Sequence, residues 1–292
     1  MGSFVITLVL CSTFMHAGWN LLARRQRSEA AFFSRMLLVS VSLGFVPAVV
    51  SESLTRSLPP VAWACVLGSG LCGGLYYFFL ARAYASSDFT VVYPVARSLP
   101  LLLIGLGDTL RGRPLAASGW LGLLLVAGGC LFAPLRSVRD LSPHRYLNRA
   151  SLWVLLAAAW TVGYTLLDKV ASEVVRQGPA TAARYGYAFF SMSAVVYALL
   201  HRAFDRGGAS AVSIGWIAPA LAAGLNFGAY WLVLWAYQLS RHASYIVAFR
   251  QFSVVIGVVL AFLIYKEKGV AVRLFATFLL LCGLLLIGLQ GR

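Results

Sequence analysis

The chain has 292 residues, 60% of them hydrophobic and only 11% charged, against roughly 25% charged in an ordinary soluble domain. That composition excludes a soluble globular domain and points to a bilayer, since water is missing from most of the surface that charges would cover. The net charge of +15 does not argue for nucleic acid, because the basic residues sit mainly in loops, where they orient helices and meet anionic headgroups.

A spanning helix needs about 20 apolar residues to cross a core of about 30 Å. In chain order the apolar runs predict ten spans: 3–22, 30–50, 61–82, 87–106, 114–134, 150–168, 179–200, 212–238, 243–264 and 270–290. The first lacks a basic n-region and runs into Arg24 and Arg25, so it reads as a retained span rather than a cleaved signal. Loops after odd-numbered spans carry twelve Lys and Arg against seven on the other side, which places the twelve in the cytoplasm by the positive-inside rule. The cysteines (Cys11, Cys65, Cys72, Cys130 and Cys282) lie inside apolar runs without CxxC or ligand spacing and read as small buried hydrophobes. No metal site and no cofactor is expected. Paired carboxylates, HExxH and a supported Ser/His/Asp set are missing from the sequence, so an enzyme is not expected.

The chain also repeats itself. "GWNLLAR" (18–24) is echoed by "GYTLLDK" (163–169), and "ARAYASSDFTVVYPVARS" (81–98) by "LWAYQLSRHASYIVAFRQ" (234–251), which aligns Tyr84 with Tyr237 and Arg97 with Arg250. The last spans match too, "LLLVAGGCLF" (123–132) against "TFLLLCGLLLIG" (277–288). Five spans per half is an odd number, so the second half enters the membrane in the opposite sense. The expected fold is an all-α polytopic membrane protein of ten transmembrane helices arranged as two inverted five-helix repeats, 1–134 and 150–292, joined by a loop at 135–149. Inverted repeats support alternating access around a site near the midplane.

Charges inside spans carry the chemistry. Arg97 stands about ten residues from either end of its span, roughly 15 Å from each surface, too deep to snorkel easily. An arginine at bilayer depth costs about 2.5–3.5 kcal/mol even on the lower scales, so it should face a cavity or a partner. Its repeat mate Arg250 approaches the same central region, and two guanidiniums there favour a carboxylate, phosphate or phosphonate. The alternative is that each bonds helix-end carbonyls or an acid. Arg35, Arg82 and Arg184 lie near span ends, where they can snorkel. Pro94 and Pro100 flank Arg97 and can interrupt its helix; no proline sits at the matching place in the second half, so any break is expected to be asymmetric. Tyr93 and Ser98 can bond a ligand or simply pack.

His16 and Asn20 share one helix face beside Trp19, mirrored by Thr161, Tyr164 and Thr165. That face serves either interhelical hydrogen bonding or the cavity wall, with His16 as a candidate proton carrier. No carboxylate stands at mid-membrane in the predicted spans, which favours a facilitator or exchanger. Aromatic residues of the third and eighth spans, Tyr76, Tyr77, Tyr84, Tyr230, Trp231, Trp235 and Tyr237, are candidates for the cavity or for the interfacial belts.

Ten spans in a 5+5 repeat, a first span ending in "HAGWNLLARR", and "YKEKGVAVRLFATFLLLCGLLLIG" near the C-terminus resemble the EamA-like branch of the drug/metabolite transporter superfamily, over the whole chain. That family often has a Gly-Glu-Arg-like turn before its fifth and tenth spans. Glu267 fits that place, whereas "RGRPL" puts Arg113 where the first acid would be. The resemblance implies a secondary transporter, an exporter of small polar or amphipathic, amino-acid-like metabolites. The expected partners are a small-molecule substrate and the lipid bilayer, without nucleic acid, as a monomer or weak homodimer in a bacterial cytoplasmic (inner) membrane. Family members usually have cytoplasmic termini, the reverse of the loop-charge orientation. Flipping of a phosphorylated lipid-linked substrate is the alternative that the same basic cavity could serve.

Overall fold

The structure is a computed structural model that describes residues 1–24, 29–85, 89–133, 135, 149–204, 215–265 and 270–290, with the side chains of all of these except 24, 29, 89–96, 149–150, 257, 260–265, 270 and 290. The expected Tyr93 contact and the Glu267 turn lie outside the described side chains. Among the described residues there are eleven helices and no strand: α1 (Ser3–Arg24), α2 (Glu29–Thr55), α3 (Pro60–Ala85), α4 (Phe89–Leu110), α5 (Ala117–Phe132), α6 (Arg149–Val174), α7 (Pro179–Phe204), α8 (Ile217–Leu239), α9 (Ala243–Arg250), α10 (Phe252–Tyr265) and α11 (Val270–Gln290). Seven of them, α1–α3, α6–α8 and α11, are long and apolar enough to cross a membrane. The chain is a polytopic helical membrane protein.

Local sequence sets several helix ends. Proline opens α3 and α7, at the position where its missing N–H is not needed. Gly112, at φ +75°, ends α4: its N–H bonds Thr109 O at 3.0 Å and Arg113 N bonds Asp108 O at 2.9 Å. This pair of bonds is the Schellman closure that a left-handed glycine allows, and it places Asp108 in the last helical turn.

The ninth predicted span, 243–264, is two helices rather than one. After Arg250 the ladder tightens, with Gln251 N on Ala248 O at 2.9 Å and Val254 N on Gln251 O at 2.8 Å, bonds of 3₁₀ type. The proline expectation is corrected here. α4 keeps helical backbone through Pro94 and Pro100, and the break falls in the span without proline. Ser253 Oγ takes the Arg250 carbonyl at 3.1 Å, and α4 grips side chains on both sides of the break, as the site shows.

Helix pairing is reciprocal. α1 packs on α8 and α3 on α6, α2 lies against α7, and α5 against α11. Glycines let α5 and α11 meet backbone to backbone: a Cβ on Gly283 would come within 2.6 Å of Gly122 O, and one on Gly129 within 2.7 Å of Ala276 O. Met1 donates to Gly288 O at 3.2 Å and lies beside Ser240–His242, so both termini and the α8–α9 junction share one end of the bundle, here the terminal end.

Candidate functional site

A cavity of about 110 Å³ lies in the core, lined by His16 and Asn20 of α1, Tyr76 and Tyr84 of α3, Arg97 of α4, Thr161, Tyr164 and Thr165 of α6, and Arg250 and Gln251 at the break. Its walls reach Tyr84 and Val154, close to the helix ends remote from the termini. Behind it, toward the terminal end, Tyr76, Tyr164, Phe189 and Tyr230 form an aromatic floor, with ring centroids 5.8 Å apart for Tyr76–Tyr164 and 4.5 Å for Phe189–Tyr230. Within that floor is a chamber of about 20 Å³ whose walls include Trp19, Asn226 and Tyr230, and which shares His16, Tyr76, Tyr164 and Arg250 with the main cavity.

Both arginines are held by side chains of the opposite half. Arg97 donates from Nη1 to Gln251 Oε1 at 3.3 Å and from Nη2 to Ser253 Oγ at 3.0 Å, gripping the broken helix on both sides of the break. Arg250 Nη2 lies 3.2 Å from His16 Nδ1, which also receives the Trp19 indole N–H at 3.1 Å. Guanidinium and indole are donors only, so Nδ1 carries no proton and the ring is the neutral Nε2–H tautomer. A proton on Nδ1 would cost both bonds, so in this arrangement His16 is an acceptor toward Arg250 and Trp19. Asn20 completes the wall, with Tyr84 Oη donating to its Oδ1 at 2.6 Å and its Nδ2 donating to His16 O at 2.8 Å.

Of the other expected residues, Trp19 lines only the inner chamber and is 1% exposed. Ser98 and Tyr237 are buried but line neither space. Tyr237 contributes through its backbone, its carbonyl accepting Lys169 Nζ at 2.9 Å. The outlying arginines engage their surroundings near helix ends: Arg184 bonds Ser57 and Ser51 and pairs with Glu52 at 3.3 Å, Arg82 lies 3.8 Å over the Phe78 ring, and Arg35 stacks over Trp216 at 4.8 Å.

Two acids that the sequence leaves at span ends, Asp108 and Asp168, are buried. Asp108, fully buried, caps α9 from α4: it accepts Ala243 N at 3.3 Å, Ser244 N at 2.9 Å and Ser244 Oγ at 2.7 Å. The other side of the same junction is held by Lys169, also buried, which donates to Tyr237 O and to Ser240 O at 2.7 Å and pairs with Glu173 at 3.3 Å. Glu173 in turn pairs with Arg111 at 2.8 Å. An anion at a helix N-terminus and a cation at a helix C-terminus are each favourable, so the α8–α9 junction is pinned from α4 and from α6. Asp168, 1% exposed, accepts Tyr185 Oη at 2.9 Å and also Tyr230 Oη. Both acids lie toward the C-terminal ends of α4 and α6, two and six residues before the last helical residue, and not at mid-span. Both acids stood at or beyond the predicted span ends, 106 and 168, whereas α4 and α6 run on to Leu110 and Val174 and carry them inside. At the junction itself, burial holds the His242 imidazole below its ordinary titration range, and the nearby Asp108 opposes that shift.

Fold and site together define a polytopic helical membrane protein with a polar, arginine-lined cavity between its helices. Residues 3–133 match the EamA-like transporter family, part of the drug/metabolite transporter superfamily. No curated protein matches the sequence. A solved structure titled "Crystal structure of protein" is similar over 100% of both chains with a TM-score of 0.72 at 16% identity; at that identity it speaks for the fold alone.

Proposed function

We propose that the chain is a secondary transporter, an exporter by its resemblance, that moves a small polar or amphipathic metabolite bearing an anionic group. It works by alternating access between two inverted five-helix repeats, 1–134 and 150–292, joined by 135–149. The reciprocal pairing of α1 with α8 and α3 with α6 supports the repeat. The observation that carries the substrate class is that Arg97 and Arg250, aligned by the sequence repeat, line one cavity. Arg250 is held there by a neutral imidazole, and among the described residues no carboxylate lies within ion-pair distance of it. A guanidinium so placed keeps donors for a carboxylate, while Tyr76, Tyr84 and Tyr164 offer flat apolar walls to an amino-acid-like side group. At about 110 Å³, below the roughly 300 Å³ of a usual ligand pocket, the cavity suits a small metabolite better than a lipid-linked one. The aromatic floor and the pinned α8–α9 junction close the terminal end.

Proteoliposomes test the reading, with radiolabelled L-phenylalanine and benzoate as probes. Saturable uptake by the wild type is expected, with losses in Arg97→Ala and Arg250→Ala; normal uptake by both variants would end the anion-site assignment.

A further inference from the structure

Asp168 sits where a charge is expensive. Its two oxygens are taken by phenols from two other helices, Tyr185 of α7 and Tyr230 of α8, and Ser69 Oγ of α3 lies 3.2 Å from Tyr185 Oη. One carboxyl group thereby ties α6 to α7 and α8 directly and to α3 through the hydroxyl chain. Among the described residues no Lys, Arg or His lies within ion-pair distance of it. Lys169, its neighbour in sequence, is turned to the α8 carbonyls and Glu173. The titratable and polar groups facing Asp168 are Ser69, Cys65 and Cys72 from α3, Tyr185 from α7, Tyr230 and Tyr237 from α8 and Tyr164 on its own helix. A buried carboxylate without a cation is held in its charged form by hydrogen bonds alone.

The site also adjoins the cavity. Tyr230 donates to Asp168 and lines the inner chamber, which shares walls with the main cavity. At about 20 Å³ the chamber exceeds the roughly 10–15 Å³ that one water needs.

We propose that Asp168 is a proton-binding site reached from the cavity through the inner chamber and Tyr230, and that its proton is the coupling ion of transport. A proton delivered by water binds one carboxylate oxygen and no other bond is made or broken. That oxygen changes from acceptor to donor, so the tyrosine hydroxyl facing it must rotate its own proton away and accept instead, and the tie between α6 and its neighbour weakens as it loses charge assistance. Release of the proton restores the tie. A metal cation fits less well, because it needs several converging oxygens and both oxygens of this single carboxylate already accept O–H donors. The coupling role rests on the transporter reading; the proton site does not.

Infrared difference spectra of the purified protein, titrated between about pH 5 and pH 9, test the site without a substrate. The wild type should show a protonated-carboxyl stretch that grows as pH falls, lost in Asp168→Asn and retained in Glu173→Gln. Tyr230→Phe, which removes one donor and tests the site should Asp168→Asn not fold, should displace the midpoint of that band. A band unchanged in Asp168→Asn, or a midpoint unmoved by Tyr230→Phe, would overturn the site. In proteoliposomes carrying L-phenylalanine, Asp168→Asn should lose uptake driven by a pH gradient and keep exchange of labelled for unlabelled probe. Equal loss of both would make Asp168 a structural residue and overturn the coupling. A wild type that titrates but moves no probe would refute the transporter reading and leave the proton site standing.

Discussion

The two spans that carry the cavity arginines meet the same demand in opposite ways. α4 contains two prolines and stays one helix from Phe89 to Leu110. The span of Arg250 contains none and breaks into α9 and α10. A proline removes a donor, but a break needs partners for what it frees: Ser253 Oγ donates to the Arg250 carbonyl at 3.1 Å within the broken span itself, and α4 holds the side chains around it. Asp108 takes the α9 N-terminus and, about eleven residues back, Arg97 bridges Gln251 and Ser253. The intact helix is a splint for the broken one. The lesson is that an interruption settles where side chains from elsewhere can satisfy it, so both helices must be read together.

The comparison can be broken by experiment. Asp108→Ala should have the largest effect, because it strands three buried donors at the α9 N-terminus. A stability loss of about 3 kcal/mol is expected, read as a lowered unfolding midpoint in detergent, and a loss near zero would deny the splint. Arg250→Ala should weaken probe binding about 10- to 100-fold, the worth of charge-assisted hydrogen bonds, measured by isothermal titration with benzoate; Arg97→Ala should cost less, since Arg97 also serves the break. Lys169→Met leaves the Ser240 carbonyl without its buried donor and that of Tyr237 with Ser172 Oγ, and should cost about 1.5 kcal/mol in the same unfolding assay. Pro100→Ala should not lower the unfolding midpoint, because alanine is the better helix former and α4 does not depend on the proline for its shape; a loss of stability would show that the proline does set α4. The smallest effect belongs to pH. Burial depresses the His242 pKa in the folded protein, so the unfolded chain takes up the proton first. The junction is at full stability above the ordinary histidine value of about 6.5 and loses stability as pH falls through it. His242→Phe should flatten that slope in a thermal-midpoint series.

Much of the site was legible in the residues. Arg97 and Arg250 stood out because a guanidinium deep in an apolar run must find water or a partner, and His16 and Asn20 because spacing puts them on one helix face. The acids were hidden by helix boundaries. Apolar runs end where charge begins, so Asp108 and Asp168 read as span ends, while hydrogen-bonded helix continues for two and six further residues, to Leu110 and Val174. Ser98 and Tyr237 were misplaced for a related reason: repeat spacing aligns positions along a helix but does not say which way a side chain turns once neighbours pack around it.

What the sequence determined by itself is the polytopic helical class and the presence of two deep cations, because each follows from local hydropathy and spacing. Tertiary structure alone decided where the ninth span breaks, that His16 is an acceptor, and that Asp168 lies among phenols with no cation beside it among the described residues. Those depend on which groups from distant parts of the chain arrive within about 3 Å, the reach of a hydrogen bond, and the energy of a buried polar group is set by its partners rather than by its place in the chain.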